Sequence, residues 1–216
     1  MNTALIGASG FVGSAILNEA LRRGHKITAI ERHPSLIKVQ DPKLTAKKCD
    51  IFNTDELAEL LHGHKAVISS YNPGWTNPKI FDDTIHGYQS IIRAVKKAGL
   101  KRILVVGGAG SLEPEPGRPL VDREDFPRDW KMGAMALRDV LNMFRRENDL
   151  DWTFFSPAIN ISPGERTGKF TIGGDQPVLD DKGQGKISVQ DYAMAMIDEL
   201  ENHKHIKQRF TIGYTE

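Results

Sequence analysis

Three glycines at fixed spacing constrain this chain more than any other feature. In ALIGASGFVGSAI, Gly7, Gly10 and Gly13 follow a short apolar run, Thr3 to Ile6, and open a stretch with the apolar spacing of a helix face. The context of strand, glycines and helix gives the triplet its meaning. Gly7 permits the tight turn, Gly10 lets the backbone approach a pyrophosphate without a Cβ in the way, and Gly13 lets the helix lie close on the strand. The helix N-terminus then presents unpaired N–H groups and the positive end of its dipole to the phosphates. A dinucleotide is the expected ligand.

The rest of the chain alternates in the same way. Helical periodicity over Phe11–Arg23 stops at Gly24, and Ile27–Ile30, Leu44–Cys49 and Lys65–Ser69 read as the next three strands. NTDELAELLHG supplies an N-cap at Asn53 or Thr54 with acids in its first turn. A longer helix is expected from about Pro78 to Gly99, then strand ILVVGG, an amphipathic helix within FPRDWKMGAMALRDVL, and strand WTFFS. Strands alternating with helices imply an α/β Rossmann-type fold, a doubly wound parallel sheet with helices on both faces. The expected organisation is a single domain over residues 1–216. Within it a Pro-, Gly- and charge-rich stretch, 111–130, reads as a flap, and an irregular stretch, 159–187, as a small C-terminal lobe capping the sheet edge. In that lobe GKFTIGG and PVLDD look β-like, and Ser188 caps a helix through Glu201.

Composition removes several function classes. The 29 basic and 28 acidic residues nearly cancel, so no electrostatic footprint for nucleic acid or an acidic membrane is expected. The lone Cys49 allows no internal disulfide and no thiolate zinc site, and no His/Asp/Glu cluster has metal-ligand spacing. With no basic leader and no window of ~18 apolar residues, a cytoplasmic protein is expected.

The Gly-x-x-Gly-x-x-Gly spacing, the Asp50-Ile51 pair and the segment Ile187-Ser188-Val189-Gln190-Asp191-Tyr192-Ala193 together resemble the short-chain dehydrogenase/reductase superfamily in its atypical branches. Nearly the whole chain is similar to the NAD(P)H-binding group that holds NmrA-type proteins and NADH-flavin reductase-like proteins. The resemblance implies that Asp50 and Ile51 flank the adenine. It also implies dinucleotide contacts from the loop residues Gly7, Ala8, Ser9, Gly10, Phe11, Val12 and Gly13, from the strand ends Ser69, Ser70, Gly107 and Gly108, and from Pro157 beside the nicotinamide.

Cofactor choice turns on Glu31 and Arg32. A carboxylate at this strand end accepts the ribose hydroxyls of NAD, and an arginine pairs with the extra phosphate of NADP. Both are present. The resembling group prefers NADP, which tips the expectation slightly that way, against the repulsion Glu31 would exert on a phosphate.

Reductases of this superfamily use a tyrosine and, four residues later, a lysine that lowers the phenol pKa. Lys131 matches that lysine in place, but Pro127 stands where the tyrosine would be, and none of Tyr71, Tyr88, Tyr192 and Tyr214 is followed by such a lysine. The standard proton donor is therefore absent. Two functions remain open: a reductase for a flavin- or quinone-like acceptor that takes its proton from water, or an NmrA-type redox sensor that binds dinucleotide without turnover. In the first, Lys131 holds the nicotinamide ribose and Ser111 contacts the substrate; a third, narrower possibility is that Tyr71 or a histidine, among His62, His64 and His86, replaces the missing acid. Tyr71, Trp75 and Trp130 offer aromatic faces for a flat small-molecule partner. A monomer or homodimer is expected; the helix from about Pro78 is long enough to pair.

Overall fold

The computed structural model describes residues 1–216. Its first strand, β1 (Asn2–Ile6), is buried from Thr3 onward, and β4 (Ala66–Ser69), β5 (Arg102–Val106) and β6 (Asp151–Ser156) are almost as thoroughly covered. Strands buried on both faces need continuous apolar runs, and AVIS, RILVV and WTFFS provide them. The edge strand β3 (Leu44–Lys48) is LTAKK, with exposed lysines that discourage pairing with another chain. With β2 (Lys26–Glu31), β10 (Gln208–Gly213) and β8 (Thr171–Gly173) the sheet runs in the order β3-β2-β1-β4-β5-β6-β10-β8. All pairs are parallel except β8 on β10.

Chain direction across the sheet reverses between β1 and β4, where Ile6 is level with Ser69. The loops leaving the carboxyl ends of these two strands part there and leave a crevice.

Five helices cover the sheet. On one face α1 (Phe11–Arg22) and α5 (Val189–Asn202) bury Ile16, Leu17 and Ala20 with Tyr192, Ala193 and Met196. On the other, α2 (Thr54–Leu61), α3 (Ile80–Lys97) and α4 (Arg128–Arg145) bury Leu57, Ile91, Val95, Val140 and Phe144. Each such aliphatic or aromatic side chain contributes about 1.5–3 kcal/mol by leaving water. The ring of Phe155 lies between Tyr192 and Phe210 with centroids 4.0 Å away on either side, joining α5 to the sheet. Asn53 caps α2 by accepting the Glu56 N–H, and Ser188 caps α5 by accepting the Asp191 N–H. No helix is long and apolar enough to cross a membrane.

Two readings of the C-terminal third need correction. PVLDD forms no strand. It crosses the ends of β8 and β10, with Val178 against Gly173 and Gly213, and Asp180 closes a turn by accepting the Lys182 and Gln184 N–H groups. Conversely, β10 was not expected, and neither was the small parallel pair formed by β7 (Asn160–Ser162) and β9 (Lys186–Ser188). These are short runs whose pairing partners lie far along the chain.

Candidate functional site

A cleft of about 800 Å³ occupies the crevice at the carboxyl ends of β1, β2, β4, β5 and β6. Its floor is the glycine loop. Gly7 has φ +80°, and a Cβ there would come within 2.5 Å of the Ser70 carbonyl oxygen. A Cβ on Gly13 would collide with the Gly7 carbonyl, so α1 sits on β1 only because that residue has no side chain. Gly10 differs: the nearest atom to its Cβ would be the Gly7 oxygen at 3.5 Å, and this position faces the cleft. Gly10 gives α1 no side-chain cap, and the N–H groups of Phe11, Val12 and Gly13 have no partner in the protein. Three unsatisfied donors at the positive end of a helix, with Phe11 and Val12 lining the cleft, suit a pyrophosphate.

At the β2 end, Glu31 Oε1 accepts the Ser9 N–H at 2.6 Å, which ties the strand end to the loop. Arg32 is exposed beside it, and Cys49 and Ile51 form the wall of this half. Burial, aided by Glu56 and Asp50, pushes the Cys49 thiol up to about 11, so it stays protonated near neutrality and is no nucleophile. The Asp50 carboxylate accepts the Phe52 N–H instead of entering the cleft.

The opposite half is aromatic. Tyr71 and Trp75 come from the loop after β4, Leu120, Phe126 and the N-cap Pro127 from the segment leading into α4, and Trp130, Ala134 and Leu137 from the α4 stripe that faces inward. Trp75 and Trp130 lie with centroids 6.1 Å apart, and they are 51% and 58% exposed. Trp75 rests on Gly133, where a Cβ would approach its ring to 2.6 Å.

Of the residues read from the sequence, Gly7, Ser9, Gly10, Phe11, Val12, Glu31, Arg32, Ile51, Ser70, Tyr71, Gly107, Gly108 and Pro157 line this one cleft. Ala8 is buried in the loop after β1 and Ser69 at the end of β4, beneath the cleft. Ser111 is displaced from the role expected of it. Its hydroxyl donates to the Gly108 carbonyl and lies 3.3 Å from Ser156 Oγ, under the cleft wall, because Arg209 holds the Ser111 carbonyl from below. Tyr71 presents its ring but not its proton: the hydroxyl donates to the Asp83 carbonyl on α3, and burial, with Asp83, raises the phenol pKa far above its ordinary value. Lys131 lies on the flank of the inward stripe, half-buried and without an ion pair. His33, Leu36 and Asn160 also line the cleft and were not singled out, as does Asn72, which the sequence places at the end of the fourth strand without assigning it a role. Their only sequence signal is position two to five residues beyond a strand end.

Comparison with known proteins agrees with this geometry. The profile of a family described as NAD(P)H-binding matches residues 7–203. The uncharacterized protein YwnB of Bacillus subtilis is 36% identical over 217 residues, covering 98% of each chain. Dihydroflavonol 4-reductase of Hordeum vulgare is 29% identical over 185 residues, 73% of this chain and 52% of that enzyme, so the chain spans about half the length of such reductases. Among solved structures, a candidate epimerase from Bacteroides thetaiotaomicron superimposes with a TM-score of 0.94 at 50% identity, covering 100% of this chain and 97% of that one. A candidate NADH-flavin reductase from Streptococcus pneumoniae does so with 0.87 at 36% identity over 100% of both.

Proposed function

The chain belongs to the NAD(P)H-binding family, in the atypical short-chain dehydrogenase/reductase group, and on that premise we propose that it reduces a flat acceptor of the flavin or quinone type. The observation that carries the proposal is the juxtaposition in one cleft of the uncapped α1 N-terminus and the Trp75–Trp130 pair, with Pro127 where a tyrosine donor would stand. When bound, the dinucleotide supplies the hydride. Phe11, Val12 and Gly13 would hold its phosphates through their N–H groups, and Pro157 would wall one face of the nicotinamide. Lys131, unpaired on the flank of the inward stripe of α4, does not line the cleft, so the ribose-holding role expected of it is not part of the proposal. The rings of Tyr71, Trp75 and Trp130 align the acceptor and exclude water. No side chain in this half is placed to pass a proton, which suits an acceptor whose reduced ring takes its proton from solvent. That a structural relative is described as a candidate NADH-flavin reductase supports the same reading.

For the cofactor, the Glu31 hydrogen bond to the loop supports NAD(H) over NADP(H). A 2′-phosphate would lie against a carboxylate anchored on the Ser9 N–H, whereas ribose hydroxyls would donate to it. An NAD(H) preference departs from the slight expectation of NADP drawn from the family resemblance.

The buried Ser111 hydroxyl and the anchored Tyr71 favour a second reading, a sensor that binds dinucleotide without turnover. Steady-state NADH and NADPH oxidation with FMN, FAD, lumiflavin and small quinones separates the two. Oxidation above background is expected. Micromolar dinucleotide binding with no oxidation by any acceptor would leave the sensor.

A further inference from the structure

The charged side chains that line the cleft are Glu31 and Arg32, and both stand at the β2 end. The acceptor half is walled by Tyr71, Trp75, Leu120, Phe126, Pro127, Trp130 and their apolar neighbours, with no lysine, arginine, aspartate or glutamate among them. Its side-chain amides are Asn72 and Asn160. Asn72 Oδ1 accepts the Gly74 N–H at 2.7 Å, which assigns its oxygen and leaves the NH₂ group as a free donor. The cations of α4 that adjoin lining residues, Arg128, Lys131 and Arg138, do not themselves line the cleft.

Building on the reductase reading, we infer that the acceptor is a neutral flat ring bearing a carbonyl, a quinone or a bare flavin ring, and that the phosphate of a flavin nucleotide is not recognised. Three features of the site lead there. The exposed faces of Trp75 and Trp130 take an extended π-system and give no purchase to an anion. A phosphate dianion brought into an apolar wall with no cation loses its hydration without compensation. The Asn72 amide donates to a ring carbonyl oxygen, which gains negative charge as the ring is reduced. In the reaction the dihydronicotinamide C–H bond breaks, the acceptor gains that hydride and one proton from water, and the two electrons leave an oxidised dinucleotide.

The test measures binding as well as turnover. The protein saturated with oxidised NAD, which cannot react, is titrated calorimetrically with lumiflavin, riboflavin, FMN and menadione. Lumiflavin and menadione are expected to bind, FMN no more tightly than riboflavin, and Trp130→Ala is expected to weaken lumiflavin about fivefold while leaving Tm and NAD affinity in place. FMN binding more tightly than riboflavin, or no binding of any neutral ring, overturns the inference. Neutral rings that bind while NADH is never oxidised would sustain the inference and sink the reductase reading instead.

Discussion

Gly10 and Gly13 sit three residues apart in one loop, yet they answer to different constraints. A Cβ on Gly13 strikes the Gly7 carbonyl, backbone against backbone, so Gly13→Ala must separate α1 from β1. A Cβ on Gly10 meets nothing closer than 3.5 Å and projects where the pyrophosphate would lie. Thermal unfolding and dinucleotide titration of both variants are expected to diverge: Gly13→Ala loses several degrees of Tm or fails to fold, whereas Gly10→Ala keeps its Tm and loses dinucleotide affinity at least tenfold. Glu31 is a third residue with a separable effect. Glu31→Ala removes the carboxylate from the Ser9 N–H, and the ratio of NADP to NAD affinity should rise about tenfold, the equivalent of about 1.4 kcal/mol. An unchanged ratio would show that Arg32 alone sets the choice.

Elements are joined far from the cleft by buried charge. At the start of β5, Arg102 donates to Glu199 Oε1 at 2.7 Å and to Thr153 Oγ1 on β6, and Glu199 Oε2 lies 2.8 Å from His205 Nδ1. Burial pushes the Glu199 carboxyl up, but hydrogen bonds from the His205 ring and backbone, with the Arg102 charge, outweigh it and hold the group below the usual 4.5. A depressed acid contributes stability at pH values above its unfolded pKa and loses it as pH falls through the lower folded value. Tm should therefore decline below about pH 4.5. Glu199→Gln, which leaves Arg102 buried without its partner, should cost about 3–5 kcal/mol at neutral pH and flatten that acid limb, as calorimetry across pH 3–7 would record. A second junction explains the Ser188-to-Asp191 motif. The fully buried Asp191 accepts from Tyr214 Oη, Thr167 Oγ1 and the Gly168 N–H, and Ser188 Oγ donates to the Glu165 carbonyl. The motif that resembles a family signature thus latches residues 165–168 onto α5, away from the cleft.

For the whole molecule, a ligand seated across the reversal between β1 and β4 touches loops from most of the sheet and can bind only the folded chain. Dinucleotide at a hundred times its Kd should add about 2.7 kcal/mol, or roughly 5–10 °C of Tm for a chain of this size. A scan with NAD and NADP would read this directly, and no shift with either would contradict the assignment of the cleft. How much of this was legible beforehand depended on range. The glycine loop, the parallel strands through β6, the α2 cap to within one residue (Asn53 or Thr54) and the cap at Ser188 were legible because each rests on contacts within a few residues or on burial of both strand faces. The strands β7, β9 and β10 were not, since runs as short as NIS and KIS carry no period and owe their form to partners 26 or more residues away. The same division holds in the site. By itself the sequence determined the glycine loop between β1 and α1, the Glu31-Arg32 pair at the end of β2 and the absence of a tyrosine at Pro127, all matters of residue type and local spacing. Only the tertiary structure decided that Ser111 and the Tyr71 hydroxyl turn away, that Glu31 closes on Ser9, and that Trp75 meets Trp130 over an uncharged floor. The direction of a side chain is set by what packs against it, and those neighbours come from other strands and helices.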